Sequence, residues 1–132
     1  MILLQKNTIN AKIALTLHEK TTISNPVYLF ELTNDLTNIS YYFIASDSSN
    51  YPNRYNLFTI IETTSSPTPL TGKITLGKAG YYSYRIYEQS SLTNLNPAGL
   101  AIVETGKCLL QSSVTGATNY DQQTKTRKVY AK

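Results

Sequence analysis

The sequence predicts an all-β fold, a single antiparallel sandwich, and three observations support this. Short runs of alternating apolar and polar residues recur from the amino terminus to Gln111, and none keeps a helical period of useful length. The breaks between them are rich in Asn, Ser, Pro and Gly, the residues that tight turns require. The aromatic content is eleven Tyr against three Phe and no Trp, and Tyr suits the half-buried surface of a pleated strand.

The elements follow in order. Met1-Ile-Leu-Leu-Gln-Lys6 meets charge at once, with no basic leader and no small-residue cleavage site, so it reads as a first strand over 2–6. A second strand over 12–17 sets Ile13, Leu15 and Leu17 on one face. Over 27–33, Tyr28, Phe30 and Leu32 oppose Val27, Leu29, Glu31 and Thr33, which makes Phe30 and Leu32 core candidates. Over 40–45, Tyr41 and Phe43 share one face while Tyr42 and Ile44 share the other. Aromatics on both faces predict that the outer face of this sheet is also covered, by a neighbouring loop or by a partner subunit. Strands over 57–63 and 72–76 follow turn-rich segments, and strands over 81–88 and 100–111 close the domain.

The segment Leu76-Gly-Lys-Ala-Gly-Tyr-Tyr-Ser-Tyr-Arg-Ile-Tyr-Glu88 narrows the fold class. Tyr82, Tyr84 and Ile86 point one way; Tyr81, Ser83, Arg85 and Tyr87 point the other. The spacing of Leu76, Gly80, Tyr82 and Tyr84 resembles the tyrosine corner of immunoglobulin-like and fibronectin type III-like sandwiches. In that corner a Tyr enters the core and its hydroxyl bonds back to the backbone just upstream, here expected within or near residues 65–78. Leu76 plugs the corner, and Tyr84 stands where antibody domains place a cysteine.

A chain of 132 residues is one domain with room for a real core. We divide it into a sandwich over 1–111 and an extended, polar, basic C-terminal arm over 112–132, where the apolar pattern stops. The net charge of +4 is uneven. Up to Glu88 acids and bases nearly balance, whereas Lys107, Lys125, Arg127, Lys128 and Lys132 face only Glu104 and Asp121. A nucleic-acid binder carries its basic stripe on the folded body, so no nucleic-acid partner is expected. No run approaches the roughly 18 apolar residues of a membrane span, so no membrane partner is expected either. The single Cys108 has no disulfide partner within the chain, which points to assembly in a reducing compartment.

No catalytic, cofactor or metal site is expected. His18 is the only histidine and lacks a companion ligand. Cys108 alternates with leucines and reads as a small buried hydrophobe. Asp35, Asp47 and Asp121 fall in separate turns, where Asp serves the backbone. Gly77-Lys78-Ala79-Gly80 lacks phosphate-loop spacing and leads into a strand. Asn38-Ile-Ser40 has the form of a glycosylation sequon, but nothing else in the chain suggests secretion. One cluster reads as a docking surface: Tyr41, Tyr42, Tyr51, Arg54 and Tyr55, with packing as the plain alternative and glycan binding as the rival function. In the arm, Tyr120, Lys125, Arg127, Lys128 and Tyr130 are candidate contacts to another chain.

The order of segments resembles a family of small proteins from crAss-like and related tailed bacteriophages of Bacteroidota hosts. The resemblance rests on Leu3-Leu-Gln-Lys-Asn7-Thr8, Leu15-Thr-Leu-His-Glu19, the block from Asn25 to Asn34, and Tyr41 to Ser49. It continues through Arg54 to Glu62, Gly80 to Glu88 and Glu104-Thr-Gly-Lys107. It implies a non-enzymatic virion protein with an immunoglobulin-like fold, an auxiliary or decoration protein on the capsid, assembled in the host cytoplasm. The implied partner is the major capsid protein or another virion subunit, a second copy of the chain included. No catalytic residue or cofactor carries over.

Overall fold

The computed structural model describes residues 1–8, 10–64 and 66–112. Eight strands form: β1 (Ile2–Gln5), β2 (Ala11–Leu15), β3 (Val27–Asn34), β4 (Ser40–Ile44), β5 (Asn56–Glu62), β6 (Lys73–Ile74), β7 (Gly80–Gln89) and β8 (Ala101–Gln111). They make two sheets, one ordered β1-β8-β7-β3-β4 and the other β2-β5-β6. Setting β3, β7 and β8 side by side opposite β2 and β5 is the immunoglobulin-like arrangement. The arm lies outside the described residues beyond Ser112, and with it Tyr120, Lys125, Arg127, Lys128 and Tyr130.

Each predicted strand forms, with differences that have physical causes. The second strand stops at Leu15 rather than 17 because the Asn56 side chain captures the chain there. Its Oδ1 accepts from the Leu17 N–H at 2.8 Å and the His18 N–H at 3.2 Å. Leu17 still reaches the core, after which a 3-10 turn runs His18–Lys20. The strand expected over 72–76 shrinks to Lys73–Ile74, since β6 meets β5 only at Ile61 and Glu62. Pairing is also not uniformly antiparallel: β1 runs parallel to β8, and β5 to β6. No hairpin joins either pair, so nothing forces the antiparallel direction.

Between the sheets lies one continuous core. Phe30 of β3 stacks on Phe43 of β4, with centroids 5.0 Å apart. It also meets Phe58 of β5 edge-on at 5.0 Å, and Tyr28 does so at 5.8 Å. This places the predicted face of β3 against the opposite sheet, with Leu32 beside it. Tyr82, Tyr84 and Ile86 of β7 point into the same core, together with Cys108 and Leu110 of β8. A register shift between Ile86 and Tyr87 lets Val103 turn inward as well.

The tyrosine corner forms as expected. The buried Tyr82 donates its hydroxyl to the Lys78 carbonyl at 2.7 Å, and Leu76 fills the space beneath. Glu62 at the end of β5 completes the corner. Its carboxylate accepts from the Leu76 N–H at 3.2 Å and the Asn7 N–H at 2.6 Å. Lys6 reaches the same place, with its Nζ 3.8 Å from Glu62 and donating to the Leu76 carbonyl at 2.9 Å. Next to the corner, Tyr84 lies over Gly106, where an added Cβ would come within 2.7 Å of the ring. The ring is held there by a 2.9 Å hydrogen bond from its hydroxyl to Glu104.

The outer face of the five-stranded sheet is partly covered, as the two-sided aromatics predict. Leu29, Ile44 and Tyr87 form a second apolar cluster on that face, closed over by Leu95 and Leu100 from the β7–β8 loop. Of the two covers considered, a loop of the same chain supplies this one. Glu31 sits at the margin of the cluster and accepts from the hydroxyls of Tyr87 at 2.6 Å and Tyr42 at 3.3 Å.

Three substitutions test this account through the denaturant midpoint. Tyr82→Phe removes a satisfied buried hydroxyl bond and lowers stability by about 1 kcal/mol. Glu62→Ala costs more, about 3 kcal/mol, because it leaves two backbone N–H groups without their acceptor and the Lys6 ammonium without its counter-charge. Gly106→Ala lowers stability by about 1–3 kcal/mol through overpacking against Tyr84. An unchanged midpoint for Glu62→Ala removes that carboxylate from the corner.

Candidate functional site

The structure does not bring the predicted docking residues together. Tyr41 and Tyr42 lie on opposite faces of β4, in register with Leu32 and Glu31 respectively. Tyr41 packs inward on Tyr82, with ring centroids 6.3 Å apart. Tyr42 lies outward on the apolar cluster of Leu29, Ile44 and Tyr87. Tyr51, Arg54 and Tyr55 belong to a turn entering β5 at Asn56, closed by bonds from the Arg54 and Tyr55 N–H groups to the Tyr51 carbonyl. The Tyr41 end of the molecule abuts Ile74 and Thr75, beside Glu62 at the other end of β5. A seven-residue strand separates the two sites, roughly 20 Å. Tyr51 is 63% exposed while Tyr41, Tyr42 and Tyr55 are half-buried, so no shared aromatic platform exists.

Most carboxylates serve the fold. Glu88 is buried and accepts from the Thr22 N–H, the Thr22 hydroxyl and the Ile23 N–H at 2.9–3.1 Å. Asp47 accepts from the Ser49 and Leu57 N–H groups and from the Asn56 side chain. Glu104 takes the Tyr84 hydroxyl and Lys20, the latter at 3.0 Å. Asp47 serves the backbone of its turn, as its position in the sequence indicates, whereas the roles of Glu88 and Glu104 were not legible because their partners lie far along the chain. Among the described residues, no group of three or more His, Cys, Asp and Glu could hold a metal ion. His18 is exposed in its turn.

The arrangement closest to a catalytic one is Asp35, Ser83 and Lys107 on the outer sheet face. The Ser83 hydroxyl donates to Asp35 at 2.7 Å, and the Lys107 ammonium donates to Asp35 at 2.7 Å and to Ser83 at 3.0 Å. A Ser–Lys pair works as a nucleophile and base only when the amine is neutral and the site excludes water. Here the hydrogen bond from Lys107, and then that from Ser83, hold the Asp35 carboxyl below its ordinary range. Lys107 is 57% exposed and ion-paired with that carboxylate. The Ser83 proton is directed at that carboxylate rather than at an amine. The cluster is a surface hydrogen-bonded ion pair.

Two concavities deserve chemical description. One of about 420 Å³ lies between Thr22–Ile23 and the β7–β8 loop, lined by Glu88, Gln89, Asn94 and Leu100 among others. Its polar groups are largely engaged with each other: Gln89 and Asn94 exchange two bonds of 2.8 and 3.0 Å, and Glu88 holds Thr22 and Ile23. The other, about 180 Å³, is lined by Tyr41, Tyr42, Pro67 and Pro69. Among the described residues, no helix is long and apolar enough to cross a membrane. Compared with known proteins, the chain matches no family model and no curated protein.

Cys108 is wholly buried, and burial pushes its thiol up to about 12 from an ordinary 9.0. Burial likewise raises the hydroxyls of Tyr28, Tyr82, Tyr84 and Tyr87 above the ordinary 10.0. A raised folded pKa means that the unfolded chain releases its protons first. The stability these groups contribute is therefore whole below the unfolded values and falls as pH rises from about 9 towards the folded ones. Denaturant midpoints should hold near neutrality and drop steeply towards about pH 11. Alkylation of Cys108 in the native protein should proceed only at the rate of global opening. Prompt stoichiometric labelling contradicts the buried placement.

Proposed function

We propose that this chain is a structural virion protein of a tailed bacteriophage, an auxiliary or decoration protein docked on the capsid shell and assembled in the host cytoplasm. The observation that carries the reading is where the motif residues of the resemblance lie. Glu31, Asn34, Asp47, Asn56, Glu62, Glu88 and Glu104 all belong to those motifs, and each makes a side-chain bond within the sandwich or its turns. A resemblance borne by residues that hold turns and sheets together supports kinship of fold. The bonding of these same side chains within the domain also favours a role in which surface, rather than chemistry, is the product of folding. The partner in this reading is the major capsid protein or another virion subunit. A repeated lattice gives many copies of a modest interface high avidity.

Glycan binding is the weaker rival, because Tyr41, Tyr42, Tyr51 and Tyr55 are split between faces and ends of the molecule. The test uses particles. Mass spectrometry of purified virions should find the chain at a fixed ratio to the shell protein. Deletion of residues 112–132 should leave the sandwich folded, with stability within about 0.5 kcal/mol of the full chain, and should reduce incorporation into particles. Truncation that unfolds the domain makes the arm part of the sandwich. Virions that lack the chain altogether overturn the reading.

A further inference from the structure

β4 and β6 are each the last strand of their sheet, and they meet along one side of the sandwich. Between them lies the cavity of about 180 Å³. Its walls are largely apolar: Tyr41 and Tyr42 of β4, Pro67 and Pro69 from the segment before β6, and Ile74. Lys73 of β6 and Thr75 just beyond it complete the lining. Among the described residues, the Thr75 Oγ1 is the one buried side-chain oxygen or nitrogen without a hydrogen bond. Lys73 makes no ion pair among them, whereas Lys6, Lys20, Arg85 and Lys107 each make one. The acid that follows its neighbour Ile61 on β5, Glu62, is already taken by Lys6, Asn7 and Leu76. The Tyr41 hydroxyl lies 3.1 Å from where a Cβ on Gly77 would stand, and it makes no hydrogen bond to a described residue.

We propose that this cavity receives an aspartate or glutamate side chain of another protein, carried on an extended segment that runs along the open edge of β4. Unmatched donors set the chemistry. An ammonium and two hydroxyls line one cavity, and a carboxylate is the group that accepts from all of them. Apolar walls keep water from the resulting ion pair and so strengthen it. Size sets the class of ligand: the cavity is smaller than the roughly 300–1,000 Å³ of small-molecule sites and suits a single side chain. The free edge of β4 offers backbone groups to an extended segment, as in strand addition. This chain is poorly fitted to supply the occupant itself. Residues 113–132 carry Lys125, Arg127, Lys128 and Lys132 against Asp121 alone, so Lys73 repels that arm. Of the acids on the described body only Glu19 is uncommitted, and it lies in a 3-10 turn rather than on an extended strand.

The test is an array of capped heptapeptides of alanine and proline with the central residue varied, read by fluorescence polarisation against the full chain. Peptides with a central aspartate or glutamate should bind. Those with asparagine, glutamine, alanine or lysine should bind at least about tenfold more weakly. Lys73→Gln should abolish that preference. Thr75→Val should weaken the acidic peptides at least about threefold while the thermal midpoint holds or rises, because it removes an unsatisfied buried hydroxyl at nearly constant shape. In the wild-type protein, amide NMR shifts on titrating the glutamate peptide should cluster at residues 40–42 and 67–75. An array without acid preference, or with no binding at all, overturns the proposal. So does undiminished acidic binding by Lys73→Gln. A lowered midpoint for Thr75→Val assigns that hydroxyl to the fold and equally overturns it. Inorganic phosphate that binds as tightly as the glutamate peptide makes the cavity a general anion site and removes the acidic segment as its occupant.

Discussion

The Glu62 carboxylate is the constraint on which the corner end of the sandwich depends. Three segments far apart in sequence converge on it: the turn after β1 through Asn7, β5 itself, and the approach to β7 through Leu76. The Lys6 ammonium neutralises it and caps the Leu76 and Gly77 carbonyls. A carboxylate this deeply buried is costly unless it is both paired and hydrogen-bonded, and here it is both. Its backbone bonds hold the chain where Leu76 can seal the core and Tyr82 can reach the Lys78 carbonyl. The corner tyrosine is thus the visible half of a device whose other half is an ion pair.

The same logic recurs across the molecule. Glu88 stitches the β2–β3 connection to the end of β7, and Asn56 with Asp47 fixes the entry to β5. Glu31 anchors the outer aromatic cluster through the hydroxyls of Tyr87 and Tyr42. The chain carries one cysteine and so makes no internal disulfide, and its sheets meet in a core of three phenylalanines, tyrosines and aliphatics. Side chains that bond across long sequence separations supply the register that a covalent staple gives elsewhere. In the Asp35–Ser83–Lys107 cluster the Ser83 hydroxyl is directed at a carboxylate.

What distinguishes one part of the surface from another is cover. Loop residues Leu95 and Leu100 close one apolar end of the outer face. The loop that carries them is braced from within: Asn94 bonds Gln89, Ser91 and Asn96. Among the described residues, none covers the opposite end around Leu3, Leu109 and Tyr81, beside the point where β8 ends.

By itself the sequence determined the local and periodic features of this protein. Alternation placed all eight strands. The spacing from Leu76 to Tyr84 identified the corner and its inward tyrosines, and the two-sided aromatics of β4 announced a covered outer face. These readings succeeded because a strand's period and a turn's chemistry are carried by adjacent residues. Tertiary structure alone decided the parallel seating of β1 beside β8 and the early end of β2. It also decided the carboxylate at the heart of the corner and the separation of Tyr41 and Tyr42 from Tyr51, Arg54 and Tyr55. Each depends on which distant segment arrives alongside: Glu62 with Asn7, Asn56 with Leu17, Leu95 with Leu29. A glutamate bound for the core looks the same in a sequence as one bound for water, because its partners are set by the packing of two sheets and not by its neighbours in the chain.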